Sequence, residues 1–489
     1  MYRSRFNVDL NKYSLDYTSS TTDDAAIILY DIIGSQAHVL MLYKNNIIPK
    51  NDSIKILIAL EELKKLKIKN NLKYDDVHEL IESMIINKLG IKCGGKMHTG
   101  RSRNDQISLD LRLKLREDVN MLCFYLIDLI DVLILLANKN KRTIMPLYTH
   151  LQQAQIGLFS HYLLSYADSL LRDFDRLYAS YDRINECPLG SGPIGGTSMP
   201  IDRKFIMKKL KFKKLISNSI DATSTRDFVV EYLSLTSILM TNISRMAEDF
   251  IIWSTSEFSF IELADEFTST SSIMPQKKNC DVLEIARGKT SCVIGNNICV
   301  LTILKSLPSG YNRDLQEIKK PLWSSSEISI QTIFIFKMIL KSLIIKKSRM
   351  RSISSEGYLT SLDIAEALVK KKIAFRTAHK IVGKLVQIAY ELNKPLSKLT
   401  VNEIKNSVEH DNHCTPELLI KIINSVTLES SLSNRMSYGS SGFYEQEKMI
   451  DERLKKIKSY KLKINKRRNE IKDAITNFSA EIKKTINRV

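Results

Sequence analysis

Apolar residues recur every three or four positions over much of this chain, the spacing that gathers them on one face of an α-helix. Ser53–Ile68 (SIKILIALEELKKLKI) carries the pattern behind a serine suited to capping, and Asp76–Leu89 repeats it. From Gln106 the runs lengthen: Gln106–Lys141, Leu151–Ile184, Thr225–Phe258, Asp281–Leu304 and Ser325–Lys347. The first three would each reach roughly 45 Å or more at 1.5 Å per residue. Thr225–Phe258 is apolar around most of its girth, through Phe228, Val229, Tyr232, Leu233, Ile238, Leu239, Ile243 and Met246. Such a helix needs cover on several sides, which predicts a bundle, including one shared between subunits. After about residue 355 the helical runs shorten again. The pattern predicts a mostly α-helical chain in three parts: residues 1–105, a central long-helix domain 106–355, and a small helical domain 356–489 ending in a basic tail.

Composition agrees with helices. Of 489 residues only 17 are Gly and 10 Pro, and 44% are hydrophobic, enough for a sizeable core. Seven cysteines stand far apart, at 93, 123, 187, 280, 292, 299 and 414, without a C-x-x-C pair. They predict reduced thiols in a cytoplasmic protein, with neither a disulfide frame nor a metal site. The start, MYRSRFNVDL, lacks the apolar stretch of a signal peptide. Met121–Ala137 is the best membrane candidate, but Asp128 and Asp131 interrupt it and a buried soluble helix accounts for it better. The formal charge is +19, and Asp451–Val489 holds 13 Lys/Arg against 5 Asp/Glu. No zinc-finger, RNA-recognition or basic-zipper pattern accompanies that charge, so a solvated surface is expected in place of a nucleic-acid partner.

Three segments are dense in hydrogen-bonding groups within this greasy background. His98-Thr99-Gly100-Arg101-Ser102-Arg103-Asn104-Asp105-Gln106 sets arginines and small hydroxyls before a helix start, which suits carboxylate or phosphate recognition. The same residues also suit a capping loop with Asn104 or Asp105 as the cap and its arginines in solvent. Tyr148-Thr149-His150-Leu151-Gln152 puts a histidine where a helix is expected to begin, a place for a general acid or base or for a structural imidazole. Ser269–Asn279 (STSSIMPQKKN) offers hydroxyls followed by lysines and an asparagine, and Glu284 follows where it could orient a histidine. Gly190-Ser191-Gly192-Pro193-Ile194-Gly195 matches the dinucleotide fingerprint G-x-G-x-x-G in letters only. No strand precedes it and no helix opens at its third glycine.

Together these motifs resemble the fumarase/aspartase superfamily, and within it the argininosuccinate lyase family. The superfamily signature G-S-S-x-M-P-x-K-x-N reads here Thr270-Ser271-Ser272-Ile273-Met274-Pro275-Gln276-Lys277-Lys278-Asn279. Gly100–Gln106, Tyr148–Gln152, Asp221-Ala222 through Arg226-Asp227-Phe228, and Tyr311-Asn312-Arg313-Asp314-Leu315-Gln316 are similar to that family's other motifs, and the likeness runs from about Asp31 to Gly383. The resemblance implies a three-domain lyase whose central helices form a twenty-helix core in a homotetramer. It implies active sites shared between subunits, no metal or organic cofactor, and reversible elimination of argininosuccinate to arginine and fumarate. In that reading Ser271 is the base, and Lys277 and Asn279 bind carboxylates and developing charge. His150, oriented by Glu284, is the acid. Ser102, Arg103, Asn104 and Thr149 hold the succinyl part. Tyr311, Gln316, Lys319, Ser35 and Asp76 hold the arginine part, with Arg226 and His78 nearby. Another fumarate-releasing lyase such as adenylosuccinate lyase, or an inactive structural relative, are the alternatives. The chain departs from the family pattern at Thr270, Cys280, Leu147, Ile156 and Ile318; Thr270, in place of a glycine, is expected to stiffen the signature loop.

Overall fold

The computed structural model describes residues 8, 10–66, 74–407 and 414–487. The expected helix end at Lys67–Ile68, most of the first ten residues and the last two of the basic tail lie outside the described residues. Five long helices dominate: Arg103–Lys139, Phe159–Ile184, Asp227–Ser254, Asp281–Leu304 and Lys319–Ser342. Each packs on the next and the last returns to the first, closing a ring. Arg103–Lys139 is long and apolar enough to cross a membrane. Its stripe Leu115, Val119, Leu122, Leu126, Leu129 and Leu133 is instead buried by neighbouring helices. The two acids that interrupt it are matched from those neighbours: Lys337 Nζ lies 3.6 Å from Asp128, and Lys461 Nζ donates to Asp131 at 2.6 Å.

The helix expected over Leu151–Ile184 begins only at Phe159. Gln152–Leu158 is a strand, antiparallel to Ile144–Thr149, with a bulge between Leu147 and Tyr148. Tertiary packing decides this. Ile144, Ile156 and Leu158 are buried in a small cluster with Leu359 and Leu432, and Tyr148 packs on Phe258 and Phe260 at 5.5 and 6.3 Å between ring centres. The Leu147 side chain occupies the space over Gly157, where an added Cβ would meet it at 2.4–2.7 Å. The last ring helix lies six residues earlier than expected at its start, and Ile344–Ile345 beyond it pairs with Ile261–Glu262.

One apolar core runs through the ring and the N-terminal helices, from Ile27 to Ile482. A second, separate core spans Ile364 to Ile423. The basic tail is a single helix, Phe443–Ile486, of 44 residues. It leaves the small C-terminal core and packs along Arg103–Lys139, burying Ile457, Tyr460, Ile464, Phe478 and Ile482 in the main core. The segment 356–489 thus contributes to three apolar clusters, since Leu359 and Leu432 join the one around the hairpin.

Candidate active site

The arginine-rich loop is built around a helix cap. Ser102, not Asn104 or Asp105, caps Arg103–Lys139: its Oγ accepts from Asn104 N–H at 3.3 Å, and Asp105 Oδ1 accepts from Ser102 N–H at 3.1 Å, closing a capping box. The other Asp105 oxygen accepts from Gly190 N–H and Gly192 N–H, both at 2.9 Å. The glycine-rich decoy therefore cradles a carboxylate of its own chain, and Gly190 and Gly192 take the positive φ this needs. Burial pushes the Asp105 carboxyl up to about 6, with those N–H groups and Arg101 opposing. The arginines do not lie in solvent. Arg101 is buried and donates to Ser35 Oγ at 2.9 Å, and Arg103 donates to Asp76 Oδ2 at 2.9 Å. Asn104 Nδ2 donates to the Pro193 carbonyl.

These residues open onto a cavity of about 300 Å3 lined by Ser20, Asp24, Asp76, His78, Arg103, Asn104, Ile107, Tyr311, Arg313, Gln316 and Lys319. Asp76 caps the helix Val77–Leu89, which sets His78 in its first turn. Lys319, at the start of its ring helix, donates to Asp24 in a pair that is almost fully buried. Asp24 Oδ2 also accepts from Ser20 Oγ and Val77 N–H. Gln316 and Arg313 donate to the Thr18 carbonyl, tying the N-terminal segment over one wall. Burial raises the Tyr311 hydroxyl against the pull of Arg226. Burial also lowers the Arg226 guanidinium to about 10, with two of its nitrogens unpaired inside the protein. Seven of the expected residues thus share one cavity: Asp76, His78, Arg103, Asn104, Tyr311, Gln316 and Lys319. Ser102 stands at its edge, and the coupling of Arg226 to Tyr311 puts it close by. Ser35 is displaced from the expected role. It is fully buried on the helix Ile28–Lys44 and holds Arg101. Ser20 and Asp24, absent from the expectation, are in the lining.

The remaining expected residues lie elsewhere. Thr149 and His150 sit at the tip of the hairpin, not at a helix start, and both are exposed. His150 and Leu151 form a two-residue turn with φ of 55° and 58°, the left-handed region that side chains rarely adopt. Such strain is typical of functional positions. The signature segment is a short hairpin, Ser269–Thr270 against Lys278–Asn279, with an exposed tip. Ser271 Oγ accepts from Ile273 N–H at 3.3 Å and Met274 N–H at 3.0 Å, two donors that favour an anionic oxygen. Lys277 is exposed, Asn279 Nδ2 donates weakly to Ser269 Oγ, and Glu284 is exposed in the first turn of Asp281–Leu304. No hydrogen bond or ion pair joins His150, Glu284 or Ser271 to one another. Thr270 has extended backbone, paired with Lys278, so its β-branch fits without strain.

Chain direction explains the separation. Glu284 opens the 24-residue helix Asp281–Leu304 and Tyr311 follows its end, roughly 36 Å away at 1.5 Å per residue. The histidine hairpin packs through Tyr148 on Phe258 and Phe260, at the end where that helix begins. The ring therefore carries the polar cavity toward one end and the histidine hairpin and signature segment toward the other. Among the described residues one group has metal-ligand spacing, Asp31, His78 and Asp110 behind the cavity.

The Lyase family model matches residues 4–295, and a model described as Argininosuccinate lyase C-terminal matches 358–432. Argininosuccinate lyase of Nitrosopumilus maritimus is 55% identical over 486 residues, covering 99% of this chain and 100% of the relative. Argininosuccinate lyase of Caldanaerobacter subterraneus is 43% identical over 406 residues, covering 83% of this chain and 92% of the relative. Among solved structures, EDDS lyase in complex with formate superposes with a TM-score of 0.86 at 26% identity, covering 97% of this chain and 95% of that one.

Proposed function

The chain belongs to the argininosuccinate lyase family, and from that premise we propose that it cleaves argininosuccinate reversibly to L-arginine and fumarate in arginine biosynthesis, in the cytoplasm, as a homotetramer. The observation that carries the assembly reading is the separation along the ring of the cavity from the histidine hairpin and signature segment. A single subunit cannot close that distance; subunits packed antiparallel would bring the histidine tip and signature loop of others to each cavity. A second feature supports it. Asp281–Leu304 buries only a few of its residues, and Ile285, Ile298 and Leu301 are roughly half exposed on a ring that lacks cover there. Five ring helices from each of four subunits make the twenty-helix core.

The chemistry follows from the side chains. Ser271 takes the proton from the methylene carbon beside a carboxylate, next to the carbon that bears the leaving nitrogen, its oxygen supported by two N–H donors. The resulting dianion is held by Lys277 and Asn279. The C–N bond breaks, its electron pair goes to the guanidino nitrogen, and that nitrogen takes a proton from His150, oriented by Glu284. Ser102, Arg103, Asn104 and Thr149 grip the succinyl part. Asp76, Tyr311, Gln316 and Lys319 grip the arginine part, joined by Ser20 and Asp24, with Arg226 and His78 alongside. The proposed division of the chain stays at 105 and 355, with Phe443–Ile486 returning to the ring.

The test is fumarate release from argininosuccinate, followed by ultraviolet absorbance, with His150→Asn as control. Release by the native chain and not by the variant supports the reading. No release by folded tetramer sinks it, and adenylosuccinate is then the substrate to try.

A further inference from the structure

Behind the cavity three polar groups meet with almost no water. His78 is 5% exposed, Asp31 1% and Asp110 0%. His78 Nδ1 stands 3.0 Å from Asp31 Oδ1 and 3.6 Å from Asp110 Oδ2. Gln106 Nε2 donates to the same Asp31 oxygen. The other Asp31 oxygen and both Asp110 oxygens lack a hydrogen-bond partner, and so does His78 Nε2. Atoms of Asp31, His78 and Asp110 all lie within 4.8 Å of one another, and two buried carboxylates that close favour a shared proton over double ionisation. The Asp110 carboxyl is pushed well up, by burial first and Asp31 next. Asp31 is held down despite burial, chiefly by His78. The His78 imidazole is held up against burial by Asp31, then by Asp76 and Asp24. Arg101 acts electrostatically on both carboxylates, and His98 lies within electrostatic reach of Asp31 and His78.

The cations of the cavity wall differ in what they face. Lys319 is committed to Asp24, Arg103 to Asp76 and Arg313 to Asp75. His78 lines the same cavity, its Nδ1 is committed to Asp31, and its Nε2 is buried without a partner. We propose that Asp31 and Asp110 hold one proton between them and so fix His78 as an imidazolium whose Nε2–H receives a carboxylate of the bound ligand. Asp110 is a neutral acid in this arrangement and donates to Asp31. Asp31 is a carboxylate that accepts from Asp110, Gln106 and His78 Nδ1. Both are positioning residues that act through His78. A divalent metal on the three groups is the rival, and two facts stand against it: Gln106 and His78 already present donors to Asp31, and Arg101 adds a positive charge.

This inference rests on the proposed reading of the cavity as the arginine half of the site. The experiment compares Asp31→Asn, Asp110→Ala, Asp110→Asn and His78→Gln as full-length tetramers, with melting temperature checked for each. KM and kcat are measured with argininosuccinate across pH, and arginine binding by calorimetry. Losing a charge-assisted hydrogen bond predicts that Asp31→Asn and Asp110→Ala raise both KM and the arginine Kd about tenfold or more, with kcat moving far less. Asp110→Asn, which keeps a neutral donor, is expected to recover most of what Asp110→Ala loses. His78→Gln is expected to match Asp31→Asn, and the double variant to be no worse than either. It carries the test if Asp31→Asn does not fold. An Asp110→Asn chain that folds but is as impaired as Asp110→Ala overturns the shared proton, as does a stoichiometric divalent metal in the purified protein by elemental analysis. An unmodified protein that turns over argininosuccinate but does not bind arginine in this cavity would instead overturn the reading of the site beneath it.

Discussion

The ion pair between Lys319 and Asp24 gives the sharpest forecast. Lys319→Met keeps the length and bulk of the side chain and removes the cation. Both partners are almost fully buried, so the variant leaves a carboxylate inside the protein without its counter-charge. Breaking a buried pair from one side costs about 3–5 kcal/mol. Asp24 keeps hydrogen bonds from Ser20 Oγ at 2.7 Å and Val77 N–H at 3.2 Å, which places the expected loss at the low end, about 3 kcal/mol. Asp24→Asn added to Lys319→Met removes the orphaned charge and is expected to return about 2 kcal/mol of it. The assay is urea unfolding followed by fluorescence at one fixed protein concentration, because the proposed assembly would make stability concentration-dependent. A Lys319→Met chain within 1 kcal/mol of the native one, or a double variant as unstable as the single, would refute the reasoning. Either result would mean that water in the cavity already screens the pair.

Three further outcomes follow from other sites. His98 is held near 3 by burial and by Arg101 and Arg103, so between about pH 6.5 and 3 the unfolded chain binds a proton that the folded one refuses. Stability should therefore fall as pH drops through that window, by up to about 1.4 kcal/mol per unit, and His98→Gln should flatten the slope of melting temperature against pH. Gly157→Ala collides with Leu147 and is expected to destabilise by about 1–3 kcal/mol in thermal unfolding, with Leu147→Ala in the same chain restoring most of the loss. Thr270→Gly should leave kcat within about threefold, because Thr270 is extended and its β-branch is unstrained; a dead variant would show that the signature loop needs that side chain.

Much of the fold is written locally. Asp281–Leu304 was readable to both ends, because its apolar spacing is regular and its flanks are rich in turn residues. Gln152–Leu158 was not. Its glutamines and lone alanine suit a helix, and only pairing with Ile144–Thr149 and burial of Ile156 and Leu158 make it a strand. The same local blindness put His150 at a helix start. In the site, Arg103, Asn104, Tyr311 and Gln316 from two of the motifs converge on the cavity, whereas the histidine and signature motifs lie elsewhere. Ser20 and Asp24 went unread because their meaning comes from Lys319, 295 positions away, in a segment with no periodic pattern. Asp31 and Asp110 looked like ordinary polar positions on helices; burial, which periodicity registers poorly for single acids, gives them their importance. Ser35, named only through the family resemblance, is buried and accepts from Arg101, a long-range partner that its local sequence does not reveal.

The return of the last helix to the ring has a consequence for how the protein is made. Arg103–Lys139 is synthesised early, yet part of its apolar stripe is covered only when Ile464, Phe478 and Ile482 arrive. At about 5–20 residues per second, the wait from Lys139 to Phe478 is roughly 20–70 s. Throughout it the nascent chain carries a greasy seam that the last helix has yet to cover. A chain that stops before residue 478 lacks this cover, and its exposed apolar seam is the kind of surface that chaperones and proteases recognise.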